Sequence, residues 1–257
     1  MLPQITQQNM FFRCCSSLLI IFLTLCTVKV QSQSSITIPV TDFNPESLEN
    51  EDIENPIWSE LTLPRRSKTE YSLHQQDSMV SIKAVSENSA SGLVYKVDID
   101  PAEFPIIEWK WRVDDLVEGG DFRSKKGDDY AARIYITFDY DKSNLGLGDR
   151  IKYETIRTFS RFKIPLRAIN YIWANDAEKD TIAPNAYTNW VMMVISESGN
   201  ERTSEWLSYS RNIYEDYKTA FGEEPPRING IAIMTDTDNT KSTASAFYGN
   251  IVFRKAN

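Results

Sequence analysis

The sequence predicts an all-β fold, an antiparallel β-sandwich of jelly-roll type with one short helix. Three observations carry it. Ten short runs dominated by Tyr, Trp, Ile, Val and Thr are separated by Gly, Pro, Asn and Asp, which is strand-and-turn spacing rather than the alternation of strands with long helices seen in βαβ units. Two of these runs alternate with period two. A single stretch, after Asn212, carries a complete set of helix start and stop signals.

The first thirty or so residues belong to a different class. Arg13 supplies a basic start, and the apolar run from Ser16 to Val28 includes Leu18-Leu-Ile-Ile-Phe-Leu23. That run has the length of a signal-peptide core and falls short of the ~20 apolar residues of a membrane-spanning helix. Small residues at Val30 and Ser32 place cleavage near Ser32, so residues 1–32 are expected to be a signal peptide and the protein to be exported, periplasmic or extracellular. The alternatives are an uncleaved anchor and acylation of Cys26, against which Leu25 stands where a small residue is wanted. The three cysteines, Cys14, Cys15 and Cys26, all lie here, so the exported part has no thiol and no disulfide and must rest on a core of ordinary size.

Residues 33–56 read as an acidic lead-in, with Glu46, Glu49, Glu51, Asp52 and Glu54 close together. Ile36-Thr-Ile-Pro-Val40-Thr-Asp-Phe43 within it reads as an edge strand, where Pro39 is tolerated. One β-sandwich domain is expected over residues 57–257. Its strands are expected at Thr69 to His74, Met79 to Val85, Gly92 to Ile99, Ile106 to Val113, Tyr130 to Asp139, Asn170 to Ala174, Tyr187 to Ser196, Glu205 to Ser210, Gly230 to Thr235 and Ser245 to Phe253. The helix follows Asn212, a capping residue. Ile213, Tyr214, Tyr217, Ala220 and Phe221 recur at helical spacing, and Gly222 with Pro225-Pro226 ends it. A second helix is read between Ile151 and Phe162.

Alternation assigns faces. In Asp129-Tyr-Ala-Ala-Arg133-Ile-Tyr-Ile-Thr-Phe-Asp139, the residues Tyr130, Ala132, Ile134, Ile136 and Phe138 share one face, and Asp129, Arg133, Tyr135 and Asp139 the other. Ile107, Trp109, Trp111 and Val113 likewise turn inward, leaving Glu108, Lys110 and Arg112 outside. If the two strands are neighbours, Arg112, Arg133 and Asp129 share a polar sheet face. Such a face, with Asp128 beside it, could grip hydroxyls or a carboxylate and use Tyr135 for stacking. It could equally be a solvated face with cross-strand ion pairs worth a few tenths of a kcal/mol each. Arg211 could reach Asp128, Asp129 or Asp236 across the end of the sandwich.

The turn Asp236-x-Asp238-Asn239 offers oxygen ligands at the close spacing a hard cation such as calcium requires. It is not an EF-hand, because Phe247 stands where that loop needs its bidentate Glu. The competing reading is a tight loop whose Asp and Asn side chains accept their own backbone amides.

Several functions are excluded or disfavoured. Loss of Arg13 and Lys29 with the leader takes the net charge from -8 to -10, which suits neither nucleic acid nor another polyanion. His74 is the sole histidine, so zinc sites built on several histidines are absent. There is no Gly-x-Ser-x-Gly, phosphate loop or dinucleotide fingerprint. A carboxylate pair from Asp128, Asp129, Asp236 or Asp238 remains available for glycosidase-like chemistry.

Lys68-Thr-Glu-Tyr71, Ala90-Ser-Gly-Leu93, Trp109-Lys-Trp111, Gly127-Asp-Asp-Tyr-Ala-Ala-Arg133, Asn170-Tyr-x-Trp173, Arg211-Asn-x-Tyr-Glu-Asp-Tyr217, Phe221-Gly222 with Pro225-Pro226, and Thr235-Asp-Thr-Asp-Asn-Thr240 together resemble the uncharacterised bacterial domain-of-unknown-function family 3047. The resemblance runs from Trp58 to Phe253 and implies an exported bacterial β-domain without an assigned activity, cofactor or site. Val40-Thr-Asp-Phe43 and Tyr248-Gly-Asn-Ile-Val-Phe253 are also similar to the first and last strands of galactose-binding-like jelly rolls, a likeness of fold alone. The expectation is therefore a non-catalytic module that binds a carbohydrate or another envelope ligand and meets the membrane only through its signal or a lipid anchor. The alternatives are a carboxylate-dependent enzyme acting on polysaccharide and a structural protein of the cell envelope.

Overall fold

The computed structural model describes residues 34–48, 57–159 and 165–256. The expected signal segment and the acidic residues Glu49, Glu51, Asp52 and Glu54 lie outside the described residues. The chain forms β1 (Ser35–Ile38), β2 (Trp58–Thr62), β3 (Glu70–Gln76), β4 (Met79–Glu87), β5 (Ala90–Ile99), β6 (Ile106–Val113), β7 (Arg133–Phe138), α1 (Leu147–Phe159), β8 (Ala168–Ala174), β9 (Ile182–Asn185), β10 (Thr188–Ser198), β11 (Leu207–Asn212), α2 (Ile213–Phe221), β12 (Ile228–Asp236) and β13 (Thr243–Arg254). Every strand expected between Thr69 and Phe253 is present, with ends moved by no more than three residues. Two short strands, β2 and β9, are additional. No described helix is long and apolar enough to cross a membrane.

The strands make two sheets packed as a sandwich. One runs β11-β6-β13-β4-β3, with β1 also on β13. Residues Thr243 to Tyr248 of β13 pair with β4 and residues Ile251 to Arg254 with β1, so those two strands lie in tandem along one side of β13. The other sheet runs β2-β5-β12-β7-β8-β10-β9. All pairings are antiparallel except β8 with β10, which are parallel. Between them the chain crosses to the sheet edge and forms β9 on the far side of β10, where Pro184 removes no needed donor.

The lead-in contributes to the core. Ile38, Val40 and Phe43 are buried, and the Trp58 indole donates to the Pro39 carbonyl at 3.2 Å. Between the sheets, Trp109 and Trp111 of β6 meet Tyr171 and Trp173 of β8, with ring centroids 4.8 Å apart for Trp109–Tyr171 and 6.3 Å for Trp111–Trp173. An aromatic side chain of this size removes roughly 150–250 Å² from water, worth on the order of 4–6 kcal/mol before entropy is counted.

The helix α2 is built as its sequence demands. The Asn212 side chain accepts the Glu215 amide at 3.1 Å, and Gly222, at φ 71°, lets its own amide close back onto the Lys218 carbonyl at 2.8 Å. The second helix, α1, begins four residues before the stretch expected for it.

One expectation fails here. β6 and β7 are not neighbours; they belong to opposite sheets. Alternation correctly turned Arg112 and Arg133 outward, but outward from different sheets, so Arg112 shares no face with Arg133 or Asp129. It stacks on Phe247 at 3.9 Å from the ring centroid and pairs with Asp114 at 3.0 Å.

Candidate functional site

Two adjoining regions hold most of the residues singled out by the sequence: an acidic corner at one end of the sandwich, and a groove on the outer face of the seven-stranded sheet. Arg133 belongs to both.

The corner forms where the loop before β7 meets the turn between β12 and β13. Gly127 makes the approach tight, since a Cβ there would lie 2.6 Å from the Asp121 amide nitrogen. The loop then presents Asp128 and Asp129, both buried. Asp129 receives four hydrogen bonds from the turn. The Asn239 amide (3.2 Å) and Asn239 Nδ2 (3.0 Å) reach Oδ1; the Thr240 amide and hydroxyl, both at 2.7 Å, reach Oδ2. The turn is thus stapled from the neighbouring loop, while Asp238 also accepts its own backbone amide.

Asp236, at the end of β12, is buried and in contact with Arg133 Nη2, and its other oxygen accepts the Tyr130 amide at 3.3 Å. Burial, reinforced by Asp129, Asp128 and Asp238 and opposed by Arg133, pushes the Asp236 carboxyl well above the usual range. Burial alone would lower the Arg133 pKa; Asp236, Tyr135, Asp128 and Tyr130 together more than offset it, and the guanidinium is held firmly protonated. Asp128 accepts the Tyr130 hydroxyl and Asn185 Nδ2, both at 2.9 Å, and burial raises its carboxyl against the pull of Arg133. Asp238 pairs with Arg66 at 2.7 Å and is likewise raised by burial. Nothing local in the sequence around Arg66 points to this partner, 172 residues away.

One carboxylate oxygen from each of Asp129, Asp236 and Asp238 lies within 4.8 Å of the others, the clustering a calcium site would need. The lone pairs tell against it. A carboxylate offers about four acceptor positions, and the four donors of the turn fill those of Asp129. Arg133 and Arg66 already serve as counter-ions to Asp236 and Asp238. Asn239, the third residue expected to ligate metal, spends its amide nitrogen on Asp129 and accepts the Tyr187 hydroxyl at 3.4 Å. A cation here would have to displace turn donors from Asp129 and compete with Arg133 and Arg66 for the other two carboxylates.

Arg211 does not join the corner. It grips Asp216 through Nε (2.9 Å) and Nη2 (2.7 Å) and also contacts Asp180, while the Tyr171 hydroxyl donates to Asp216 at 2.8 Å. An acid five residues away, on the first turn of the adjoining helix, wins over acids brought together only by folding.

The groove begins where the corner ends. Ile134, Ile136 and Phe138 of β7 enter the main core, so Arg133, Tyr135 and Thr137 point to the outer face. With Ala232 and Met234 of β12, Val94 and Lys96 of β5 and Leu61 of β2 they line an open cavity of about 610 Å³. Tyr140, Tyr153, Leu166 and Val191 complete it. Arg133 is 4% exposed, and its guanidinium carbon lies 5.0 Å from the Tyr130 ring centroid and 5.3 Å from that of Tyr135. Its Nη2 contacts Asp236 and the Met234 sulfur; Nε and Nη1 are buried with no hydrogen-bond partner among the described residues. Burial also pushes the Tyr135 phenol up.

Fold and site together define a two-sheet β-sandwich with a stapled acidic corner and an open groove beside it. Within that class the chain belongs to the DUF3047 family, proteins of unknown function, whose family model matches residues 56–252. No curated protein matches the chain by sequence. Among solved structures it is similar to the glycoside hydrolase domain Spr0440, Endo-D from Streptococcus pneumoniae R6, at 8% identity and a TM-score of 0.36, over 78% of this chain and 22% of that one. A likeness of that degree carries no argument about activity.

Proposed function

We propose that the protein is an exported, non-catalytic ligand-binding module whose site is the groove on the outer face of the seven-stranded sheet. The observation that carries the reading is Arg133: buried, charged, fixed on one side by Asp236, and left with two donors that have no acceptor among the described residues. Buried donors are nearly always paired in folded proteins, and an orphan on the wall of a cavity marks where a ligand's acceptor belongs. The volume, about 610 Å³, suits a small molecule or one end of a larger one. Tyr135, Tyr140 and Tyr153 add aromatic side chains to its lining. Export is supported by the apolar leader.

The test is a thermal-shift screen of envelope saccharides, uronic acids and lipid-derived acids, run on the wild type and on Val94→Trp, which fills the groove from a half-buried position. Ligands that stabilise the wild type and not the variant support the site. Hits that stabilise both equally place binding elsewhere and overturn it.

A further inference from the structure

We infer that the ligand of this groove is an anionic amphiphile: a carboxylate held at Arg133 and an apolar body laid along the sheet. The inference rests on the groove being the binding site and goes further by naming the chemical class. The polar end is set by Arg133, whose Nε and Nη1 lack acceptors among the described residues. Guanidinium hydrogen bonds to a carboxylate are charge-assisted and stronger than those to a neutral oxygen. Lys96, exposed on the same wall, makes no ion pair among the described residues and adds a second positive charge toward which an acid head is drawn.

The body is set by the apolar part of the remaining wall, beside which stand Tyr135, Tyr140, Tyr153, Asn229 and Asp139. Leu61, Val94, Ala232, Val191 and Leu166 offer no hydrogen bonds, and the Thr137 hydroxyl is already committed to Asn229 Oδ1 at 2.7 Å. A sugar carries a hydroxyl on almost every carbon, and against these side chains most would lose water without gaining a partner. An alkyl or aryl chain loses nothing there and gains from leaving water. The groove therefore discriminates by what it cannot bond as well as by what it can.

Isothermal titration with octanoate, octanamide and glucuronate, each to millimolar concentration, tests this on wild type, Val94→Trp and Ala232→Leu, with circular dichroism to establish that both variants fold. Octanoate is expected to bind the wild type at least tenfold more tightly than octanamide, to lose that binding in both variants, and to weaken several-fold in Lys96→Ala. Glucuronate is expected to show no heat above dilution. Tighter binding of glucuronate than octanoate, abolished by the filling variants, would overturn the amphiphile and leave the groove standing. Octanoate binding untouched by both filling variants would overturn the two together. Equal affinity for octanoate and octanamide, or no octanoate binding at all, would sink the carboxylate assignment.

Discussion

The acidic corner and the groove share Arg133 and differ in whether their hydrogen bonding is finished. In the corner, Asp129 has a donor for each of its acceptor positions, Asp236 has Arg133 and the Tyr130 amide, and Asp238 has Arg66. In the groove, the same arginine keeps two donors without acceptors. The corner is the more conspicuous in sequence, because clustered Asp and Asn look like ligands. The comparison teaches that clustering of chemically capable side chains does not make a site when they satisfy one another; unspent capacity beside open volume is the better marker.

The largest effect expected from disturbing this pair of regions is the loss of Arg133. Arg133→Met strands Asp236 as a buried acid without its counter-ion and should cost about 3–5 kcal/mol in urea unfolding. The double variant Arg133→Met with Asp236→Leu should recover most of that, since the desolvated pair is replaced by apolar contact. If the double variant is no more stable than the single, the pairing is not what holds this end together.

Next is the staple. Asp129→Ala leaves the Asn239 and Thr240 amides without an acceptor and should cost on the order of 2–4 kcal/mol. Wild-type melting temperature is expected to be the same in calcium and in chelator, because a ligand of the native state alone must raise it. A calcium-dependent rise would mean that the corner is unfinished after all and would erase the contrast with the groove.

Arg112→Ala, on the opposite sheet, should cost only about 0.5–1 kcal/mol, the worth of its stacking on Phe247, and should leave ligand affinity in the groove unchanged. A loss of affinity would show that the two outer faces communicate.

The smallest effect is a matter of pH. Burial raises the Asp128 carboxyl in the folded state above its unfolded value, so ionisation costs stability above the folded pKa and that cost disappears as acid protonates the group. Asp128→Asn keeps an acceptor for Tyr130 and Asn185 but cannot ionise. Relative to wild type it should melt higher at about pH 8, with the gap closing by about pH 4. A gap that widens on acidification would show that the carboxylate is stabilising and reverse the sign argued here.

Much of this architecture was legible beforehand, and the failures are as specific as the successes. The helix at Ile213–Phe221 is announced by Asn212 and Gly222, each acting within four residues of itself. The faces of β6 and β7 follow from alternation. Trp58-Ser-Glu-Leu-Thr62 and Ile182-Ala-Pro-Asn185 were missed as strands because short edge strands owe their existence to the neighbours they pair with, β5 and β10, more than to their own composition. The parallel pairing of β8 with β10 has no signature in either strand. Of the six residues expected to bind ligand, Arg133 and Tyr135 line the groove, Asp128 and Asp129 build the corner, and Arg112 and Arg211 are elsewhere.

The division has a physical basis. Which way a side chain faces along a strand, and where a helix starts and stops, depends on backbone geometry over a few residues, so composition and spacing alone determined the longer strands, the α2 caps and the outward direction of Arg133. Which sheet a strand joins, and therefore whether Arg112 or Asp236 stands beside Arg133, depends on closing loops of up to a hundred residues or so, whose cost grows only slowly with length and favours no partner strongly. The global fit of the two sheets made that choice, and with it set the finished corner against the unfinished groove.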